Sequence, residues 1–192
     1  MRHKEYIDLI YSDYYRITGT KNGLSLLFGV LFKEEAFKYI FWMRTCKYSK
    51  EHRLLRLLFY PIARVILRHL SYKFGISIPP ETKIGEGFYI GHFGGIVVNS
   101  KATIGNNCNI SHCVTIGQSN RGKNKGYPTI GNNVYIGPGA KIIGSINIGN
   151  NVAIGANCVV TKDIPDNAVV VGIPAKIISY EGSIGYINRI DY

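Results

Sequence analysis

Two histidines, His92 and His112, stand twenty residues apart in a stretch otherwise built from Ile, Val, Gly and Asn. An imidazole titrates near neutrality, so it can take a proton from a hydroxyl and return it to a leaving group. What makes the pair more than two polar side chains is where each falls in a repeat. His92 comes two residues after Ile90, and His112 two residues after Ile110. Both therefore occupy the third position of a six-residue unit.

That unit recurs along most of the chain. An apolar residue returns at Ile78, Ile84 and Ile90, at Val98, Ile104, Ile110 and Ile116, and at Ile130, Ile136, Ile142, Ile148, Ile154 and Val160. The fifth position is usually small or apolar: Thr82, Ala102, Cys108, Val114, Val134, Ala140, Val152, Cys158. A period of six is neither helical nor a plain alternation, and it marks a β-solenoid. Each hexad is one short strand and one turn, with positions one and five inward, and three hexads close a triangular coil. Gly and Asn at equal places in the hexads, as in Gly105-Asn106-Asn107, Gly131-Asn132-Asn133 and Gly149-Asn150-Asn151, suit sharp corners that need positive φ. Three hexads plus two extra residues separate the histidines, so they are expected on the same corner of adjacent coils, about 4.8 Å apart along the axis.

The period breaks twice. Ile90 to Val98 spans eight positions, which puts two extra residues near His92–Val97. Ile116 to Ile130 spans fourteen, so a polar, basic external loop is expected over 118–128. Irregularities in a regular solenoid often build the working surface. After Val160, proline-containing segments end the repeats, and residues 179–192 read as a short peripheral extension.

Residues 1–74 lack the six-residue period and read as helical, with the change at Gly75–Pro80. Leu24 to Phe32 is apolar, Lys33-Glu34-Glu35 interrupts it, and Ala36 to Met43 resumes. A further helix over Glu51 to Lys73 should be kinked or divided by Pro61. On it Arg53, Arg56, Arg64 and Arg68 fall within about 120° of one face, and Leu54, Leu55, Leu58, Phe59, Ile62, Val65 and Ile66 on the other. Either that apolar face packs on the protein's own core, or the helix is a basic amphipathic surface for a membrane or a charged partner. The fold expected is thus mainly β, with 1–74 an α-helical N-terminal region and 75–178 the repeat domain.

Charge follows the same division. Residues 1–77 hold 14 Lys/Arg against 6 Asp/Glu, and 78–192 hold 9 against 6, within a net charge of +11. A basic front suggests an anionic neighbour such as headgroups, an acidic glycan or a nucleotide cofactor. Four cysteines show no paired or zinc-type spacing. No metal is expected, since His3, His52 and His69 lie in the front and leave two histidines in the repeats. The first eleven residues lack a secretory pattern, and no apolar run of about 18 residues exists to span a bilayer. These features fit a cytoplasmic protein, with association at the membrane's inner face an option and no nucleic-acid partner.

Gly91-His92-Phe93-Gly94-Gly95-Ile96-Val97-Val98, Val114-Thr115-Ile116-Gly117, Ile136 to Gly144 and Gly172-Ile173-Pro174-Ala175-Lys176 resemble the serine acetyltransferase branch of the hexapeptide-repeat acyltransferases. The resemblance covers about residues 75–178. It implies a left-handed parallel β-helix, a homotrimer with active sites in grooves between subunits, and acetyl-CoA as donor. It places the catalytic histidine on His92. His112, in the neighbouring coil, would assist by hydrogen bonding or acceptor binding. CoA would run along the axis over Gly117, Gln118, Pro138 and Ala156, with Lys162 and Lys176 meeting its phosphates. Phe93 and Tyr127 are the candidates for acceptor contacts.

The family's pattern is not followed throughout. Its aspartates, one directly before the catalytic histidine and one fifteen residues earlier, fall on Gly91 and Ser77. Its loop Arg-His pair falls on Gly126-Tyr127, and its long helical front is shortened. Losing charged groups that read a free amino acid weakens a serine acceptor. The sequence therefore points first to a polysaccharide O-acetyltransferase, acting on a sugar hydroxyl of a capsule, exopolysaccharide or lipopolysaccharide. The alternatives are a serine O-acetyltransferase of cysteine biosynthesis and a non-enzymatic β-helix scaffold. Trimers paired through the helical region are a further expectation.

Overall fold

Hexads become strands of two or three residues because a corner, most often built with Gly or Asn, follows each inward apolar residue. In the computed structural model, which describes residues 1–20, 22 and 35–192, these strands wind a left-handed β-helix with three flat faces. Face one stacks β1 (Ile76–Ser77), β4 (Ile96–Val98), β7 (Thr115–Gly117), β10 (Lys141–Ile143) and β13 (Val159–Val160). Face two stacks β2 (Lys83–Ile84), β5 (Thr103–Ile104), β8 (Thr129–Ile130) and β11 (Asn147–Ile148). Face three stacks β3 (Tyr89–Ile90), β6 (Asn109–Ile110), β9 (Tyr135–Ile136), β12 (Ala153–Ile154) and β14 (Val169–Val171), then β15 (Lys176–Ser179). All these pairings are parallel except β14 with β15.

The register puts like on like. Ile90, Ile110, Ile136, Ile154 and Val170 are stacked on face three, and Val98, Ile116, Ile142 and Val160 on face one. These side chains and the fifth-position residues are buried and fill the prism.

The two corner residues act for different reasons. Asn107, Asn133, Asn151 and Asn167 adopt left-handed backbone, with φ between 55° and 60°. Their side chains form a ladder, Nδ2 of each donating to Oδ1 of the next at 3.0–3.1 Å. The glycine after the inward Ile does not need positive φ. At Gly131 an added Cβ would lie 2.7 Å from the carbonyl oxygen of Gly149 in the next coil. There glycine is required by close backbone approach.

The front forms four helices among the described residues: α1 (His3–Thr18), α2 (Glu35–Glu51), α3 (Arg53–Leu58) and α4 (Tyr60–Phe74). The apolar run Leu24–Phe32 lies outside the described residues. The helix expected over Glu51 to Lys73 is divided at Phe59, beside Pro61, into α3 and α4. The face that α4 buries is Ala63, Leu67, Leu70 and Phe74, against the first coil. Leu54, Leu58, Ile62 and Val65, on the apolar face read from the sequence, point to solvent instead. Within α4 the buried residues recur at i, i+4, i+7 and i+11, a second apolar stripe beside the arginines, and that stripe is the one that packs inward.

A buried ion pair fastens this front to the β-helix. Arg44 Nε donates to Asp13 Oδ2 at 3.0 Å, and its other nitrogens donate to the carbonyls of Ile84 at 2.7 Å and Gly85 at 2.6 Å. Asp13 Oδ1 also accepts from the Phe88 amide at 2.7 Å. One guanidinium and one carboxylate thus join α1, α2 and the first coil.

Residues 179–192 form a strap. Tyr186 stacks on Tyr135 with centroids 4.2 Å apart, and Ser183 Oγ donates to Asn133 O at 2.6 Å. Tyr192 Oη donates to Asn107 Oδ1 at 2.8 Å, and Tyr15 Oη donates to Asp191 Oδ1 at 3.0 Å. The tail therefore runs back across the prism to α1.

Arg44→Met should cost about 3–5 kcal/mol of stability, because it leaves the Asp13 carboxylate buried without its counter-charge. Urea unfolding of the two proteins measures this. A loss below about 1 kcal/mol would mean that the pair does not anchor the front.

Candidate functional site

The corner between faces three and one is where the histidines meet. His92 sits in the turn from β3 to β4 and is exposed; His112 sits in the turn from β6 to β7 and is half-buried. Because Ile90 pairs with Ile110, their turns lie one above the other. The ring centroids are 6.0 Å apart with planes at 69°. The corner of adjacent coils expected from the period is the one observed. Neither ring has a hydrogen-bond partner among the described residues, so both keep their nitrogens available to a bound molecule.

Glycines make room for the His92 turn, whose two extra residues widen it. Gly94 and Gly95 have φ of 109° and 66°. Gly75 packs against them so closely that an added Cβ would lie 3.2 Å from the Gly95 nitrogen. Phe93 extends outward from the same turn and meets Phe74 with centroids 5.1 Å apart. The end of α4 thus supports the residue beside His92.

The column continues down the corner. The register of Ile136 and Ile154 with Ile110 places Pro138 and Ala156 below His112. The Gly139 amide donates to His112 O at 3.0 Å, and the Asn157 amide to Pro138 O at 2.8 Å. His92, His112, Pro138 and Ala156 therefore form one edge of the prism.

The remaining candidates lie elsewhere. Gly117 ends β7, Gln118 follows it, and Lys162 follows β13, so they line the opposite edge of face one. A strand of three residues, about 10 Å, separates the two edges. Tyr127 ends the external loop on that opposite edge, half-buried, with Lys101 Nζ 5.2 Å from its ring centroid. The loop closes on itself through paired hydrogen bonds between Ser119 and Gly126 at 3.0 Å, and Asn124 Nδ2 ties it to Thr161 O at 2.8 Å. Lys176 opens β15 and is exposed. Within one protomer, then, Phe93, Pro138 and Ala156 share the histidine edge, whereas Gly117, Gln118, Lys162 and Tyr127 do not.

A cavity of about 470 Å³ opens on the first coils of face one, lined by Arg64, Arg68, Ser71, Ser77 and Val97 among others. Gly75, which packs against the His92 turn, also lines it. Arg64 and Arg68 were visible in the sequence as helix-surface cations. The packing of α4 on the first coil brings them to the same cavity as Ser77.

The thiols divide by burial. Loss of hydration pushes Cys46 up to about 11 and Cys108 up to about 12, and raises Cys158. Cys113, next to His112, is exposed in a left-handed turn with φ of 57°.

Comparison with known proteins agrees with this architecture. The family model described as "Bacterial transferase hexapeptide (six repeats)" matches residues 127–162. A serine acetyltransferase of Helicobacter pylori strain J99 is 42% identical over 132 residues, covering 69% of this chain and 77% of that protein. One from Synechococcus elongatus is 36% identical over 168 residues, 87% of this chain and 65% of its own length. Among solved structures, a serine acetyltransferase in complex with CoA superposes with a TM-score of 0.72 at 31% identity, over 92% of this chain and 71% of that one. The Brucella abortus serine acetyltransferase in complex with coenzyme A gives 0.74 at 29% identity, over 92% and 69%. The chain belongs to the serine acetyltransferase family of hexapeptide-repeat proteins.

This corrects the first functional reading of the sequence. A polysaccharide O-acetyltransferase with a glycan acceptor was expected from the short basic front and the substituted loop. The relatives and neighbours reported above are serine acetyltransferases, and the superpositions include most of the helical front. The shorter front is a difference of length, not of fold, and the loop substitutions are local to one side of the prism.

In the folded protein, Ellman's reagent should modify one thiol, Cys113, at mildly alkaline pH, and all four after unfolding. The sign follows from the raised pKa values: at such pH the three buried thiols remain protonated and unreactive. Rapid modification of a second thiol in the folded protein would contradict the burial described.

Proposed function

We propose that the chain is a serine O-acetyltransferase, moving the acetyl group of acetyl-CoA to the hydroxyl of L-serine. The observation that carries this reading is the histidine pair at the head of the Pro138–Ala156 edge, in a chain 42% identical to a serine acetyltransferase over 132 residues.

The His92 imidazole accepts the serine hydroxyl proton as the oxygen attacks the thioester carbonyl. The tetrahedral intermediate collapses by breaking its C–S bond, and the imidazolium returns the proton to the departing thiolate. Backbone amides near the groove hold the oxyanion. His112, one coil below, meets the acceptor or steadies the His92 ring.

CoA lies along the axis, over Pro138 and Ala156 on one edge and Gly117 and Gln118 on the other, with Lys162 and Lys176 near its phosphates. Because face one separates these two edges within a protomer, the reading calls for a neighbour's edge beside each histidine column. That arrangement is a homotrimer with active sites between subunits. Tyr127 then reaches the acceptor from the neighbouring protomer, and Phe93 from the same one as His92. Ser77 stands where the family resemblance expects a carboxylate, and Gly126 where it expects a loop arginine. The acceptor carboxylate is met instead by Arg64 and Arg68 in the cavity beside the His92 turn. The reaction takes place in the cytoplasm.

Purified protein given acetyl-CoA and L-serine should release CoA thiol and form O-acetylserine, identified by mass. Absence of both products sinks the proposal. His92→Ala should lower the rate by at least about 100-fold with the assembly mass unchanged. Arg64→Ala combined with Arg68→Ala should raise KM for serine about tenfold or more while kcat changes little. An unchanged KM would remove the two arginines from the acceptor site and leave His92 untouched.

A further inference from the structure

The outer side of α3 and the start of α4 is apolar, and nothing among the described residues covers it. α3 buries none of its residues. Leu54, Leu57 and Leu58 are 70%, 74% and 68% exposed, and Ile62 and Val65 follow at 55% and 70%. Five large aliphatic side chains in twelve residues is far from the scattered exposure normal on a surface. On α3, the spacing of Leu54, Leu57 and Leu58 puts them on one helical stripe.

Charge accompanies this face. From His52 to Pro80 the chain carries Arg53, Arg56, Arg64, Arg68 and Lys73, and no Asp or Glu. Arg53 and Arg56 are exposed within α3 itself, and neither forms an ion pair among the described residues. An apolar stripe edged by unneutralised cations suits a surface that is oily within and negative at its boundary. A second copy of the same face is a poor match, because a symmetric contact would set the same arginines against one another. No helix of the described residues is long and apolar enough to cross a bilayer.

We infer that the α3–α4 face docks on an anionic lipid bilayer. Leu54, Leu57, Leu58, Ile62 and Val65 enter the headgroup–acyl boundary, and Arg53 and Arg56 meet lipid phosphates. α3 lies in the plane of the membrane with the first turns of α4 beside it, and the β-helix is held on the aqueous side. A threefold assembly would present three such faces, so weak single contacts would add by multivalency. This surface lies outside the histidine edge and does not depend on which acceptor the site uses.

The test uses the full chain and extruded vesicles, either phosphatidylcholine alone or with about a third phosphatidylglycerol. Sedimentation should show binding to the anionic vesicles at least about tenfold tighter than to the neutral ones, weakened when salt shortens the screening length to about 3 Å near 1 M. The variant Leu57→Gln/Leu58→Gln/Ile62→Gln should lose about tenfold or more of this binding, with its melting temperature kept. Arg53→Gln/Arg56→Gln should remove most of the preference for anionic vesicles. The proposal is overturned if the protein does not prefer anionic vesicles or if the triple variant binds as well as the parent. It is equally overturned if light scattering shows the triple variant dissociating a larger assembly while the parent ignores vesicles, for then the face joins copies of the chain.

Discussion

Parallel hydrogen bonding between successive coils is the constraint on which this molecule rests. Each strand is too short to be stable alone, and its amides are satisfied only by the coil beside it. The pairing holds register only if every coil turns at the same places, and that is possible only if corner backbones nearly touch. Gly131, with the Gly149 carbonyl where its Cβ would be, shows how little room remains. The asparagine ladder from Asn107 to Asn167 serves the same end, taking left-handed corners and bonding each side chain to the next. The histidine column follows from this register, since a group at position three of one coil must sit above position three of the next.

An open prism end would expose the Ile76–Ile78 coil, and the helical front covers it. Its attachment is polar at the centre and apolar around it. The Asp13–Arg44 pair reaches the backbone of Ile84, Gly85 and Phe88, while Tyr39, Leu67 and Phe74 pack on the first coil. The terminal strap adds a second link, through Tyr186 on Tyr135 and Asp191 to Tyr15. α4 also carries Phe74 to Phe93 and Arg64 to the cavity over Ser77. The cap is thereby part of the site's surroundings.

Repeats are legible because they are redundant. Thirteen Ile or Val residues, spaced by six except at the two breaks, specify face, register and inward direction together. The two irregularities were legible as counts of residues, and the structure turns them into a wide His92 turn and a closed external loop. The front was less legible, because α4 carries two apolar stripes and a helical wheel does not say which one finds a partner. Of the two, the stripe of Ala63, Leu67, Leu70 and Phe74 became the buried face and Leu54, Leu58, Ile62 and Val65 stayed exposed. The acceptor was misread from substitutions at Ser77, Gly91 and Gly126-Tyr127. Such positions report on local chemistry, and similarity along the whole chain gave the better guide.

By itself, then, the sequence determined the β-helix, its inward ladder and the stacking of His92 over His112, because all three depend on periodicity and on hydrogen bonds between neighbouring coils. Only the tertiary structure decided how the front seats on the prism, which of its faces remains bare, and which candidate residues share an edge. Those outcomes depend on a helix break, a buried ion pair and the width of face one, which bring together residues distant in the chain and leave no period to read.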